Sequence, residues 1–164
     1  MEIEDRGGKM KGIMLALTFL FSLLSSPLFA QVSQEFEKTR EEMQRQKDAV
    51  IAADMKLAEQ ESKAFWPLYQ EYQGALRKLQ DRYIKLLFEY AQEREKETFT
   101  DQKARALLDE YLDIDREDLW LKRAYLEKFS KILPAKKVMR YFQMENKIAA
   151  MVNYQMTQGI PLAK

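Results

Sequence analysis

Acidic side chains crowd one stretch of the chain in a way that could hold a hard cation. Six carboxylates lie between positions 109 and 118, and oxygen ligands of this kind bind calcium. On a helix, however, acids spread over about three turns point in different directions and do not converge on one ion. We therefore interpret them as a solvated face. The six are Asp109, Glu110, Asp113, Asp115, Glu117 and Asp118.

Methionine is the other residue type here that could bind a metal, since thioethers hold cuprous copper. The four methionines of the last predicted helix are spaced 5, 7 and 5 residues apart, which scatters them over its surface and favours gap filling in a core. The chain has no cysteine and no histidine, so it lacks the usual zinc ligands and the commonest general base. No activated nucleophile and no glycine-rich phosphate loop stands out. The sequence predicts a non-enzymatic protein with no metal and no cofactor.

The first 30 residues have the pattern of a secretory signal peptide. Lys9 and Lys11 precede an apolar run over 12–24, and a turn ending at Ala30 follows. The run is shorter than the about 20 residues that span a bilayer. We predict export, with cleavage after Ala30.

The remaining chain, 31–164, is predicted to be a single helical domain. Translation from Met1 and from Met10 both stay open, and a membrane would be a partner only if the leader were retained. The 27 basic residues nearly balance the 26 acidic ones, so the charge does not call for nucleic acid.

One predicted helix, from about Glu59 to Glu97, carries a coiled-coil-like apolar seam. Its members repeat with 4-3 spacing, and at about 1.5 Å per residue the seam is roughly 39 Å long. Pro67 lies inside this helix and predicts a kink or break near Trp66. The seam consists of Phe65, Tyr69, Tyr72, Leu76, Leu79, Tyr83, Leu86 and Tyr90.

A second long helix, from Thr100 as N-cap to about Ile132, carries two apolar stripes. One stripe can pack on the seam as a hairpin, and the other must meet the next helix, a second subunit or a client; we favour a homodimer. The first stripe is Leu107, Tyr111, Ile114, Leu121 and Tyr125. The second stripe is Leu108, Leu112, Leu119, Leu126, Phe129 and Leu133.

Shorter helices are predicted on both sides of this hairpin. One runs from about Ser33 to Ala53 with a thin seam, and the other runs from Pro134 to about Thr157. The predicted fold is therefore all-α: a long antiparallel helical hairpin with shorter flanking helices, assembled as a dimeric cradle.

Three stretches resemble the small periplasmic helical proteins related to Spy and CpxP, which share an LTxxQ motif. They are the run over 64–69 (Ala-Phe-Trp-Pro-Leu-Tyr), the turn over 99–102 (Phe-Thr-Asp-Gln), and the run from Leu133 to Gln143. The motif's threonine is an N-cap, and its glutamine can close a capping box. This chain departs from it with Ala58 at one expected threonine and Lys103 at one expected glutamine.

The resemblance implies a periplasmic hairpin that dimerises into a cradle. It implies an ATP-independent chaperone that holds unfolded periplasmic proteins. The alternative is an accessory protein that docks on the sensor domain of an envelope-stress kinase. A metal-responsive role is disfavoured, because the ligands for it are missing.

Contacts with such partners could come from two sets of side chains. The seam itself is interpreted as hairpin core, so the aromatic candidates are those off it, Trp66, Phe88 and Trp120. The basic candidates are Lys136, Lys137 and Arg140, which suit an acidic partner or lipid headgroups. For both sets, ordinary packing or surface charge is the competing interpretation.

Overall fold

The computed structural model describes residues 26–94, 96 and 99–163, with side chains from residue 35 onward. Within that part the chain is helical and contains no strand. This confirms the all-α prediction. The helices are α1 (Ser26–Met55), α2 (Glu59–Arg94), α3 (Asp101–Ser130) and α4 (Ala135–Thr157).

The chain divides into two compact units, Met1–Val50 and Ile51–Lys164. Positions 1–25 of the predicted signal peptide lie outside the described residues. The described part of the first unit belongs to α1, which begins at Ser26 rather than near Ser33. Its side chains form local pairs such as Glu42–Arg45 at 2.5 Å, and its sparse apolar residues, including Phe36, are exposed.

In the second unit, α2 and α3 form the predicted antiparallel hairpin. Ion pairs between the two helices show that they are antiparallel, because the residue number of the partner on α3 decreases as that of the partner on α2 increases. They join Glu71 to Lys128 at 2.7 Å, Arg82 to Glu117 at 2.7 Å, and Glu89 to Lys103 next to the turn.

Helix α4 returns along α2, in the same direction. Midway along α4 the Gln73 amide donates to the carboxylate of Glu145 at 3.0 Å. Beyond its end the Tyr90 hydroxyl donates to the carbonyl of Pro161 at 2.9 Å. Helices α2, α3 and α4 therefore form a three-helix bundle.

The core of this bundle is aromatic and lies at the end where α4 begins. Phe65, Tyr69, Tyr72, Phe129 and Tyr141 are all fully buried. The ring centroids of Phe129 and Tyr141 are 4.8 Å apart. Ile51 and Met55, from the last turn of α1, close this end, and a smaller cluster near the hairpin turn contains Leu86, Leu107 and Ile114.

Pro67 does not break α2, which runs without interruption from Glu59 to Arg94, so of the predicted kink or break near Trp66 the break is wrong. Proline removes the donor that would bond the carbonyl of Lys63, but Lys63 is exposed and its carbonyl can turn to water. The neighbouring Phe65 and Tyr69 are buried in the core. Their burial holds the helix together across the missing hydrogen bond.

The helix starts depend on caps that the sequence indicated. Thr100 caps α3, and its hydroxyl accepts from the backbone N–H of Lys103 at 3.2 Å. The Lys103 side chain crosses to Glu89 on α2 instead of closing a capping box. At the start of α2 the glutamate half of a capping box is present, since the Glu61 carboxylate accepts from the backbone N–H of Ala58 at 2.8 Å. Pro134 is the N-cap of α4, whereas the sequence predicted it to be the first residue of the helix.

Replacing Ala58 by threonine should complete the capping box of α2. The new hydroxyl would accept from a free N–H of the first turn, and we expect Ala58→Thr to raise the free energy of unfolding by about 1 kcal/mol. Urea unfolding followed by circular dichroism measures this. Ala58→Val, which has the same shape without the hydroxyl, is the control; equal stability of the two variants would contradict the prediction.

Candidate binding surface

The tyrosine-rich seam of α2 lies mostly in the interior of the bundle. Phe65, Tyr69 and Tyr72 have no exposed surface, and Leu86 is 7% exposed. Burial raises the pKa of the Tyr72 hydroxyl strongly, with Glu145 and Asp118 adding to the effect. The seam therefore packs as hairpin core at these four positions, and its other members, Leu76, Leu79, Tyr83 and Tyr90, are half-buried.

The second stripe of α3 divides into a buried end and an exposed length. Phe129 and Leu133 are buried against α4, whereas the members nearer the hairpin turn face solvent. We name the exposed part of the stripe, together with Trp120 next to Leu119 in the sequence, the α3 face. It consists of Leu108, Leu112, Leu119, Trp120 and Leu126, which are 50%, 52%, 51%, 60% and 42% exposed.

A shallow groove between α2 and α3 borders this face at Trp120. Its volume is about 450 Å³, and small side chains form part of its lining, which leaves room for a side chain from outside. The Arg116 guanidinium lies 5.4 Å from the Trp120 ring centroid and holds the indole in a cation–π contact. The groove is lined by Ala75, Lys78, Leu79, Glu117, Trp120, Leu121 and Ala124.

The acidic stretch of α3 is occupied by ion pairs rather than arranged around a common centre. Arg82 reaches from α2 to two of its carboxylates and binds Glu110 at 3.0 Å and Glu117 at 2.7 Å. Asp109, Asp113 and Asp118 pair with cations one turn away on α3 itself. In the part of the chain that is described, no cluster of three or more potential metal-binding carboxylates is found.

Two of the three predicted basic contact residues are engaged within the bundle. Arg140 binds the carboxylate of Asp54 through two hydrogen bonds of 2.6 and 2.7 Å, which lower the pKa of that carboxyl. Lys137 pairs with Glu61 and lowers its pKa in the same way. These contacts fasten α4 to the end of α1 and the start of α2. Lys136 is exposed.

The three predicted aromatic contact residues have different surroundings. Trp66 is half-buried, with edge-to-face contacts to Phe65 at 5.2 Å and Tyr69 at 5.3 Å, and so belongs to the margin of the core. Phe88 is 41% exposed, away from the α3 face on α2. Trp120 is the one that lies among other exposed apolar side chains.

The sequence predicted the leucines of the α3 face as part of an apolar stripe, but it did not predict that they would be exposed. Leu112, Leu119 and Leu126 recur every seven residues, and this spacing alone fits a buried contact as well as an open one. Their exposure depends on how far α4 covers α3.

Among the described residues, none of the helices combines the length and the apolar character that crossing a bilayer requires. No protein-family model, curated protein or solved structure matches this chain.

Proposed function

We propose that this chain is a non-enzymatic, exported binding protein that holds unfolded polypeptides without nucleotide. The observation that carries the proposal is the α3 face, where four leucines and a tryptophan lie exposed along one helix. Exposed apolar side chains that lie together on a protein surface mark interaction sites.

The chemistry of the α3 face suits partners that have no fixed shape. Leucine side chains attract apolar segments without directional requirements, and Trp120 adds a large area with a polar N–H group. Charges of both signs, among them Asp115 and Arg123, border the face and can accompany polar residues of an unfolded chain. Many weak contacts of this kind allow different sequences to bind.

The internal contacts of the basic residues favour this proposal over docking on a sensor kinase. Lys137 and Arg140, which motivated that alternative, neutralise carboxylates of their own chain. An acidic partner would have to displace those pairs. The α3 face needs no such rearrangement.

Suppression of aggregation tests the proposal directly. Light scattering of a chemically denatured client diluted into buffer should fall when the purified protein is added without nucleotide. The double substitution Leu112→Ser and Leu119→Ser should weaken this suppression several-fold, because it removes two apolar side chains from the centre of the face.

The matched control changes exposed apolar residues elsewhere in the bundle. Met139 and Met151 on α4 are 64% and 61% exposed, and replacing both by serine should leave suppression unchanged. Circular dichroism verifies that both double variants stay helical. Absence of suppression at several-fold molar excess of the unmodified protein would refute the proposed function.

A further inference from the structure

The groove between α2 and α3 occupies a gap between two ion pairs that join these helices. At one end of the gap Glu71 pairs with Lys128 at 2.7 Å, and at the other end Arg82 pairs with Glu117 at 2.7 Å. The two pairs are eleven residues apart on each helix, which is about 16 Å along the axis. The surface between them is the lining of the groove.

The two ion pairs determine which residues of α2 and α3 lie at the same level between them. Four residues inward from the first pair, Ala75 lies at the level of Ala124. Four residues inward from the second pair, Lys78 lies at the level of Leu121. Spacings of three and four residues keep these positions on one side of each helix. The two alanines leave open the space that charged side chains bridge at both ends of the groove.

Lys78 brings an unpaired positive charge to this lining. Its neighbour at the same level on α3 is Leu121, and within the described part of the chain Lys78 has no ion pair or hydrogen bond. The one carboxylate of the lining, Glu117, is already bound by Arg82. A partner that enters the groove therefore meets an available ammonium group, which favours a carboxylate.

Trp120 gives the groove a large aromatic wall. The Arg116 guanidinium lies 5.4 Å from its ring centroid and also pairs with Asp113 at 2.8 Å, so the indole is held in place before a partner arrives. Aromatic rings pack on one another in preferred geometries, in addition to burying apolar area. A volume of about 450 Å³ leaves room for such a ring. An aromatic side chain therefore suits this wall better than an aliphatic one.

We propose that the groove selects, within the unfolded chain held by the α3 face, an aromatic residue that has an acidic residue close by. The ring enters between Ala75 and Ala124 and packs on Trp120, and the carboxylate pairs with Lys78. The levels of Ala75 and Lys78 are about 4.5 Å apart, and one or two residues of extended chain cover about 3–7 Å. The inference rests on the proposed function, because the client reaches the groove from the α3 face through Trp120.

Peptide titrations followed by NMR test this selection. The probe is a short, unstructured glycine–serine peptide with one phenylalanine and, two positions away, one aspartate. The indole N–H signal of Trp120 should shift during the titration, whereas that of Trp66, at the margin of the core, should not. Replacing the aspartate by asparagine should raise the Kd about two- to fivefold, and replacing the phenylalanine by alanine should raise it about tenfold.

Two substitutions locate the site, each with a matched control. Lys78→Ala should abolish the preference for the aspartate peptide over the asparagine peptide, whereas Lys85→Ala, at an exposed lysine seven residues further along α2, should keep it. Ala124→Leu should fill the groove and weaken binding of the phenylalanine peptide about tenfold. Ala106→Leu, at an exposed alanine of α3 outside the groove, should not.

Equal affinities for the aspartate and asparagine peptides, or unchanged binding by Ala124→Leu, would overturn the inference. A Trp120 signal that no peptide shifts would also overturn it. The light-scattering assay keeps these results apart from the proposed function, because Lys78→Ala and Ala124→Leu leave the leucines of the α3 face in place and should still suppress aggregation. Suppression without any peptide preference would thus remove the groove proposal alone.

Discussion

Phe129→Ala is expected to remove a large part of the stability of the bundle. Phe129 has no exposed surface, and its ring lies 5.5 Å from that of Phe65 on α2 and 4.8 Å from that of Tyr141 on α4. Truncation of a buried phenylalanine typically lowers the free energy of unfolding by about 3–5 kcal/mol. Small domains have only about 5–15 kcal/mol in total, so the variant should be close to its unfolding threshold at room temperature.

The effect should be large because Phe129 is where all three helices of the bundle meet. Removing its ring leaves a cavity that no single helix can fill by shifting without losing other aromatic contacts, such as Tyr72–Tyr125 at 4.8 Å. Phe88→Ala is the matched control, since it makes the same chemical change at a side chain that is 41% exposed.

Urea unfolding of the two variants and the parent protein decides the matter. The midpoint for Phe129→Ala should fall steeply with an unchanged denaturant slope, whereas Phe88→Ala should lose about 1 kcal/mol or less. Equal losses in the two variants would show that the aromatic core does not determine the stability of the bundle.

Those features of the fold that depend on neighbours along the chain could be predicted from the sequence. The 4-3 repeat over Phe65–Tyr90 identified the edge of α2 that packs inside the bundle, because a regular apolar seam along a helix favours burial against neighbouring helices. Thr100 marked the start of α3, because an N-cap satisfies backbone donors within its own first turn. Both signals are local, and tertiary packing did not override them.

Features that depend on distant residues could not be predicted in the same way. Arg140 pairs with Asp54, 86 positions away in the sequence, and Lys137 pairs with Glu61, 76 positions away. Neither pair could be predicted from the sequence, so both basic side chains were interpreted as candidates for contacting a partner. Trp66 lies one position off the seam, but a bundle of three helices has a wider core than a hairpin of two, and its indole packs at the margin.

For the same reason, the candidate surface could be predicted only in part from the sequence. The second stripe of α3 predicted a face that something must cover, but the extent of that cover depends on where α4 packs. Tyr141 and Phe142 contact Phe129, and the leucines nearer the hairpin turn remain open.

The buried phenols of Tyr72 and Tyr141 should make the bundle unfold in alkali. Burial raises the pKa of both hydroxyls well above the ordinary value of about 10, and the nearby carboxylate of Glu145 adds to the shift. Above pH 10 an unfolded chain releases these protons while the folded bundle retains them. Folding stability is therefore complete below pH 10 and declines as pH rises toward the folded-state pKa.

The expected decline is about 1.4 kcal/mol per pH unit for each phenol, or about 2.7 kcal/mol for the pair. Urea midpoints measured between pH 8 and pH 11, together with the absorbance of tyrosinate, follow it. Because the Tyr72 hydroxyl is buried without a hydrogen-bond partner among the described residues, Tyr72→Phe should also stabilise the protein at pH 7, by about 1 kcal/mol.

Comparison of Tyr72→Phe with Tyr154→Phe separates this phenol from the lysines that also lose their charge in alkali. Tyr154 is 66% exposed, so its replacement should leave both the stability at pH 7 and the alkaline decline as they are. Tyr72→Phe should make the decline shallower by about 1.4 kcal/mol per pH unit, since it removes one phenol whose pKa the folded bundle raises strongly. An alkaline decline of the same steepness in all three proteins would mean that the buried tyrosines do not hold their protons in the folded bundle.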